Sequence, residues 1–207
     1  MLNECQSIDA IRKECARLAK LPDSAAIGLP AAAYGSDEVF EFEVQRIVER
    51  EWIPLGRVEE VAEPGDYFTT VVAGEPVLVV RGDDGKVRVL SNVCRHKWTE
   101  VAAGCGNTRV FVCPYHAWTY ARDGQLVGAR FMERTQGFEL ADCRLPELKS
   151  ELWGGFIFVN LDGRATSLSS RLSALDAILA NYHMGDMRRF TGDDEVWDAN
   201  WKLLVEN

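Results

Sequence analysis

The sequence predicts an α+β protein, in which an antiparallel β-domain of short strands has helices on either side of it in the chain. Apolar residues recur at every third or fourth position near the start and again near the end of the 207 residues, which is helical spacing. Between these regions, short runs rich in β-branched residues alternate with turns, two of which contain the hairpin pair Asp-Gly. The predicted segments are helical over 1–44, β over 45–163 and helical again over 164–207.

The N-terminal segment is predicted to contain two helices. The apolar stripe of the first, within residues 1–21, is Leu2, Ile8, Ile11, Cys15 and Leu18. A linker rich in Ala, Gly and Pro covers 22–35. Ser36 then offers an N-cap to the second helix, which we expect to end at Pro54 and Gly56. The apolar face of this second helix is predicted to contain Phe40, Val44, Ile47 and Val48.

The β-segment is predicted from six apolar runs separated by turns. Turn residues occur at 74–75, 83–85 and 123–124. Because the runs are short and several are joined by tight turns, we expect them to pair antiparallel. The predicted strands are Tyr67–Val72, Val77–Arg81, Lys86–Leu90, Val110–Val112, Trp118–Tyr120 and Phe156–Asn160.

The C-terminal segment returns to helical spacing. We expect Gly185 to end its first helix and His183 to have a surface or packing role. A strand is predicted at Glu195–Asp198, and Asn200 is predicted to cap a helix that begins at Trp201. The apolar pattern of this last helix is still running at the final residue, so we expect the natural protein to continue. The stripe of the first helix is Leu168, Leu172, Leu175, Ile178, Leu179 and Tyr182.

Charge and composition exclude several classes of function. The chain has 23 Lys and Arg against 32 Asp and Glu, a formal net charge of −9, so we expect neither nucleic acid nor anionic membranes as partners. No apolar run reaches the roughly 18–20 residues of a membrane-spanning helix, and the N-terminus does not resemble a signal peptide. We therefore expect a cytoplasmic protein. Its three histidines exclude any site that needs more imidazoles from this chain.

Two of the histidines lie close to cysteines: His96 near Cys94, and His116 near Cys113. Each pair lies at the tip of a predicted hairpin, which indicates a metal site. Zinc accepts thiolate and imidazole, but its sites usually place about two to four residues between Cys ligands and about three to five between His ligands. One Cys and one His in each loop favours a [2Fe–2S] cluster, with both thiolates on one iron and both imidazoles on the other. Zinc stays the alternative.

Several further motifs accompany the two pairs: Cys94-Arg95-His96, Gly106-Asn107, Phe111 to Tyr120, Asp123-Gly124, Trp153 to Asn160, and Asn200-Trp201-Lys202. Together they resemble the Rieske domain of ring-hydroxylating oxygenase α-subunits, from about residue 34 to the end. The resemblance implies a β-sandwich whose two hairpin loops hold a Rieske [2Fe–2S] cluster. It implies that Cys94 and Cys113 bind the inner iron, and that His96 and His116 bind the outer one.

The sequence differs from related patterns at a few positions. Lys97-Trp98 stands where this family commonly has Arg-Gly. Thr99 and Tyr115 occupy positions that carry cysteines in respiratory-type Rieske proteins, so no bracing disulfide is expected. Trp118 replaces the Ser that in those proteins donates a hydrogen bond to a cluster sulfur. With fewer donors, we expect a potential near the bottom of the roughly −150 to +300 mV Rieske range.

The resemblance implies an oxidoreductase, namely the N-terminal part of the oxygenase component of an aromatic ring-hydroxylating or demethylating enzyme. A flavin reductase or ferredoxin would supply electrons, which pass to a mononuclear iron in a separate C-terminal domain, and the intact protein would be a trimer. The resemblance then implies that 45–163 is the Rieske domain and that 164–207 contains a connecting helix and the truncated start of the catalytic domain. His183 alone cannot complete the two-His, one-carboxylate site of that iron, so no catalytic residue is assigned to this chain. The alternative is a stand-alone Rieske electron carrier, and a zinc-stabilised structural protein is more distant. The flanking helices favour the oxygenase.

Overall fold

The computed structural model of the chain describes residues 7–190 and 196–206. It divides into two compact units. The β-unit comprises residues 48–190, and the helical unit joins residues up to 47 with those from 191 onward. None of the helices within the described ranges is long and apolar enough to cross a membrane. The division of the sequence at residues 44 and 163 stays a prediction.

The strands of the β-unit are β1 (Ile53–Arg57), β2 (Asp66–Val72), β3 (Glu75–Arg81), β4 (Val87–Ser91), β5 (Cys105–Asn107), β6 (Val110–Val112), β7 (Thr119–Ala121), β8 (Leu126–Gly128), β9 (Lys149–Trp153) and β10 (Phe156–Asn160). They form three antiparallel sheets, with the orders β1-β10-β9, β4-β3-β2-β5 and β6-β7-β8. The predicted class, an antiparallel β-domain within an α+β protein, is confirmed.

Strand β3 is buried on both faces and holds two cores together. Successive side chains of a strand point to opposite faces, and the four residues Val77 to Val80 are all fully buried. Leu78 and Val80 pack into a core that also contains Cys94 and Cys113. Val77 and Val79 pack into another core, which contains residues of β10. The predicted metal-binding thiols are therefore part of the central packing.

All six predicted strands are present, with ends shifted by at most two residues, while β1, β5, β8 and β9 were missed. One interpretation of β1 was wrong: Pro54 and Gly56 do not end a helix but lie within this strand. The register against β10 is irregular between them. Proline is tolerated because β1 is an edge strand, where a missing N–H need not remove a ladder hydrogen bond.

The α-helices of the described residues are α1 (Ile8–Leu18), α2 (Ala32–Gly35), α3 (Asp37–Glu43), α4 (Leu168–Leu179) and α5 (Trp201–Glu206). A π-turn at Val44–Val48 follows α3. Ser7, Ser36 and Asn200 cap α1, α3 and α5, because each side-chain oxygen accepts a hydrogen bond from a backbone N–H in the first turn. The caps predicted at residues 36 and 200 are confirmed.

The buried face of α3 differs from the predicted one. Val39 is buried in a small core with Ile11 of α1 and Ala33 of α2, whereas Phe40 is 49% exposed. Neighbouring residues of a helix point about 100° apart, so a core that takes position 39 leaves position 40 at its margin. Leu2, predicted on the stripe of α1, lies outside the described residues.

The residues that follow α4 also correct two predictions. A short 3₁₀ turn, Ala180–Tyr182, extends α4, and His183 ends it with a left-handed backbone at φ +48°. Gly185 instead lies inside the next 3₁₀ turn, Met184–Asp186. Histidine is among the residues that tolerate this conformation. A strand was predicted at Glu195–Asp198. Residues 196–198 form no strand, and Glu195 lies outside the described residues.

We predict that Asn160→Ala destabilises the chain by about 3 kcal/mol, because it leaves buried backbone groups without partners. The Asn160 side chain is fully buried, donates to the carbonyl of Arg50 at 2.8 Å, and accepts from the N–H of Ala165 at 3.0 Å. Urea denaturation measures the effect. Asn181→Ala, at an exposed position, is the matched control and should change stability by less than about 0.5 kcal/mol. Equal losses in both variants would contradict the assignment.

Candidate metal centre

Two six-residue loops of the same construction carry the Cys–His pairs. Loop one (residues 94–99) follows β4, and loop two (residues 113–118) connects β6 and β7. The N–H of Cys94 donates to the carbonyl of Thr99 at 2.9 Å, and the N–H of Cys113 donates to the carbonyl of Trp118 at 2.8 Å. Each loop is thus closed by a hydrogen bond between its first and last residues.

The fifth residue of each loop has a left-handed backbone. Trp98 has φ +55° and Ala117 has φ +57°. The N–H of each donates to the carbonyl of its loop's cysteine, at 3.1 and 3.0 Å. A non-glycine residue in this conformation costs roughly 1–2 kcal/mol. Loop one therefore has the conformation of loop two, even though Trp98 stands where the family commonly has glycine.

The four predicted side chains come together between the loops. The thiols of Cys94 and Cys113 are buried, at 1% and 2% exposure, and belong to one core. His96 and His116 are half-buried, and their Nδ1 atoms lie 3.1 Å apart. Their ring centroids are 4.6 Å apart at an interplanar angle of 71°. Two thiols lie inside and two imidazoles lie towards solvent.

Tyr120 is a residue of this site that sequence reasoning missed. Its side chain is fully buried on β7, and its hydroxyl oxygen lies 3.2 Å from Sγ of Cys94. The N–H of Arg95 donates to the same oxygen at 3.0 Å. Between the phenol and a Cys94 thiolate, only the phenol has a proton to donate. Burial, and then the bond to Cys94, raise the pKa of Tyr120. The phenol therefore stays protonated at neutral pH, so it can donate to a Cys94 thiolate.

Each imidazole is covered by an aromatic ring. Trp118 stacks on His96 with centroids 4.8 Å apart and planes inclined by 10°. The ring centroids of Tyr115 and His116 are 3.8 Å apart. Trp118 is buried and Tyr115 is exposed. Within the described residues, Nε1 of Trp118 is a buried donor without a hydrogen-bond partner, and such a donor is costly unless an acceptor is supplied.

The electrostatics of the site depend on burial. Desolvation, followed by the nearby His116 and Lys97, lowers the pKa of His96, so its imidazole is neutral at pH 7. Desolvation raises the pKa of the Cys113 thiol, and Cys94 raises it further. Neutral imidazole is the form that binds metal, whereas a buried thiolate needs a positive ion beside it. The donor set therefore fits a cationic iron centre.

Loop one is anchored by Asn92, which is almost fully buried. Its side chain donates to the carbonyl of Ala102 at 2.8 Å and accepts from the N–H of Ala102 at 3.0 Å. This pair of bonds ties the start of loop one to the chain that leaves it. The other described thiols are free and are not among the four converging residues. They are Cys15, Cys105 and Cys143.

The comparison with protein families identifies the domain. Residues 51–140 match the family model of the Rieske [2Fe–2S] domain. The chain contains a Rieske domain. The resemblance inferred from the sequence is thereby confirmed, and loops one and two both lie inside the matched residues.

Relatives of the Rieske chain are oxygenase subunits. This chain is 36% identical over 182 residues to the carnitine monooxygenase oxygenase subunit of Acinetobacter baumannii. The match covers 86% of this chain and 49% of the relative. This chain is also 36% identical to the glycine betaine monooxygenase oxygenase subunit of Chromohalobacter salexigens, covering 86% of this chain and 40% of the relative. The chain therefore spans about half the length of these curated relatives or less. Their class, oxidoreductase, agrees with the prediction.

Solved structures agree with this assignment. The apo form of a quaternary ammonium Rieske monooxygenase superposes with a TM-score of 0.82 at 34% identity, over 87% of this chain and 54% of that one. Naphthalene 1,2-dioxygenase from Rhodococcus sp. gives a TM-score of 0.74 at 30% identity, over 83% of this chain and 40% of that one. The Rieske fold is therefore shared with both monooxygenases and dioxygenases.

We predict that Tyr120→Phe lowers the midpoint potential of the bound cluster. The variant removes a hydrogen bond to a cysteine sulfur, and such bonds stabilise the more negative, reduced state. A bond worth about 1 kcal/mol corresponds to roughly 40 mV for one electron, which a spectroscopic redox titration resolves. Tyr182→Phe, at an exposed position, should leave the potential unchanged. A potential equal to or above that of the parent chain would rule out this role for the phenol.

Proposed function

We propose that Cys94 and Cys113 bind the inner iron of a Rieske [2Fe–2S] cluster and that His96 and His116 bind the outer iron. The observation that carries the proposal is the difference in burial within the site: the two thiols are buried in one core, whereas the two imidazoles are half-buried and their Nδ1 atoms lie 3.1 Å apart. A single tetrahedral zinc ion does not require its thiol and imidazole ligands to be separated in this way.

The protein's own groups would hold and insulate this centre. When bound, the cluster supplies one-electron transfer. The buried thiols anchor it to the core around β3, and Tyr120 donates to one sulfur. Trp118 keeps solvent from one face of His96. The half-buried imidazoles form the part of the centre nearest to solvent, so electrons would enter and leave over their edges.

We propose further that this chain is the N-terminal part of an oxygenase component. A flavin reductase or ferredoxin would reduce the cluster, and the electron would pass to a mononuclear iron outside these 207 residues, in a trimer. The helical unit supports this role over that of a stand-alone carrier, because a small carrier has no need of it. Since the relatives include oxygenase subunits for carnitine and glycine betaine, a quaternary ammonium compound is the first substrate class to test.

Cluster binding is tested by removing single ligands. We predict that Cys94→Ala and His116→Ala abolish the iron and sulfide content and the charge-transfer absorbance of the purified chain, since a [2Fe–2S] cluster needs all four ligands. Cys105→Ala, which removes an exposed thiol, and His183→Ala, which removes an exposed imidazole, are the matched controls and should retain both. Zinc bound by the parent chain, with no sulfide, would refute the proposal.

The potential should lie near the bottom of the roughly −150 to +300 mV range and fall as pH rises in the alkaline range. Oxidised iron makes its imidazole ligands more acidic, so the oxidised state loses protons first and is the state favoured at high pH. Redox titration of the loaded chain at several pH values measures both properties. A midpoint well above zero would count against the oxygenase-type assignment, and a potential independent of pH would count against ligation by His96 and His116.

A further inference from the structure

Trp98 is an exposed aromatic residue with no visible structural role. Its side chain is 78% exposed. In the part of the chain that the structure describes, its indole makes no hydrogen bond or ring contact, and the residue is held only through its backbone N–H. Its left-handed backbone is strained for a bulky residue. The hydrogen bonds of loop one account for this backbone, but they do not require a large aromatic side chain at this position.

The loop geometry fixes where this indole stands. Trp98 is two residues from His96 and occupies the loop position that Ala117 occupies beside His116. A small residue is therefore sufficient for the fold at this position. The closed loop leaves the larger ring in solvent, two residues from the half-buried His96, where it is available to a second molecule.

The surroundings of Trp98 are basic, although the chain is acidic. Arg95 and Lys97 flank it in loop one, and both are exposed. Residues 93–138, which contain both loops, have six Lys and Arg against three Asp and Glu, whereas the rest of the chain has 17 against 29. The positive charge is thus concentrated in the segment that carries the cluster ligands.

We propose that Trp98 is the apolar anchor of a docking surface for an acidic electron-transfer protein, with Arg95 and Lys97 as its charged rim. The inference rests on the proposed function and names the partner of the same site. Tryptophan and arginine are typical of the energetic centre of protein interfaces, and rim charges set the rate of encounter. One ring and two cations make a small patch, which suits a transient redox contact rather than a stable dimer.

The step at this surface is a single-electron transfer. A reduced one-electron donor, for which an acidic plant-type [2Fe–2S] ferredoxin is the probe, loses one electron, and the oxidised cluster of the chain gains it. No covalent bond forms or breaks. Contact at Trp98 would bring the donor close to the imidazole of His96, which shortens the distance that the electron crosses.

The test is stopped-flow reduction of the cluster-loaded 207-residue chain by this ferredoxin and, separately, by dithionite, a small reductant that needs no docking surface. We expect the ratio of the ferredoxin rate to the dithionite rate to fall at least about tenfold in Trp98→Gly. In the double variant Arg95→Ala and Lys97→Ala, the ratio should fall and the rate should lose most of its dependence on salt.

Two control variants separate the possible causes. Phe190→Ala and Tyr182→Ala each remove an exposed aromatic ring outside residues 93–138. Both should keep the ratio of the parent chain. If Trp98→Gly also keeps it, or if the parent rate is independent of salt, the docking proposal is overturned while the cluster assignment stands.

The remaining outcomes are also decisive. A parent chain that binds no cluster overturns the proposed function, and with it the docking surface. A parent chain that sediments as a dimer, while Trp98→Gly sediments as a monomer, shows that a second copy covers the indole and overturns the choice of partner. Normal cluster absorbance in Trp98→Gly, together with a reduced ratio, supports the proposal.

Discussion

The closure of the two loops by backbone hydrogen bonds is the constraint on which the metal centre depends. In each loop, the N–H of the first residue, a cysteine, donates to the carbonyl of the last residue. The N–H of the fifth residue donates to the carbonyl of the same cysteine. The histidine is the third residue of loop one but the fourth of loop two. Similar loop backbones thus carry the two imidazoles at different loop positions. The ring planes are inclined by 71°, and the Nδ1 atoms face each other. Side-chain freedom alone would not hold four ligands in this arrangement.

Burial separates the four candidate ligands into two buried thiols and two half-buried imidazoles. The thiols share a core with alternate residues of β3, so their positions are fixed by the close packing of the whole β-unit. Desolvation of Cys113 raises the pKa of its thiol, so its thiolate is disfavoured without a cation. The imidazoles remain half-buried. A redox centre arranged in this way is anchored on its apolar side and accessible on its polar side, which is what single-electron exchange with another molecule requires.

Sequence reasoning predicted the candidate ligands and most of the strands because both leave local patterns. The Cys–His spacing at hairpin tips predicted that four residues converge, and period-two runs predicted the strands that carry them. Tyr120 was missed because a tyrosine in a predicted strand is normally explained by packing, and its contact with Cys94 joins positions 26 residues apart. Pro54 was misread because proline at an edge strand and proline after a helix look alike until the pairing with β10 is known.

The conformation of loop one depends on a balance that no local pattern reveals. Glycine is the usual solution at a left-handed position, yet Trp98 and Ala117 both adopt that conformation here because two hydrogen bonds in each loop outweigh a strain of roughly 1–2 kcal/mol. Net charge is equally uninformative about the surface that surrounds them. At physiological ionic strength, charges separated by more than about 8 Å are largely screened. An approaching molecule therefore responds to the cations beside the imidazoles and much less to the acidic residues elsewhere, so the chemistry of this surface is set by loop geometry and local charge.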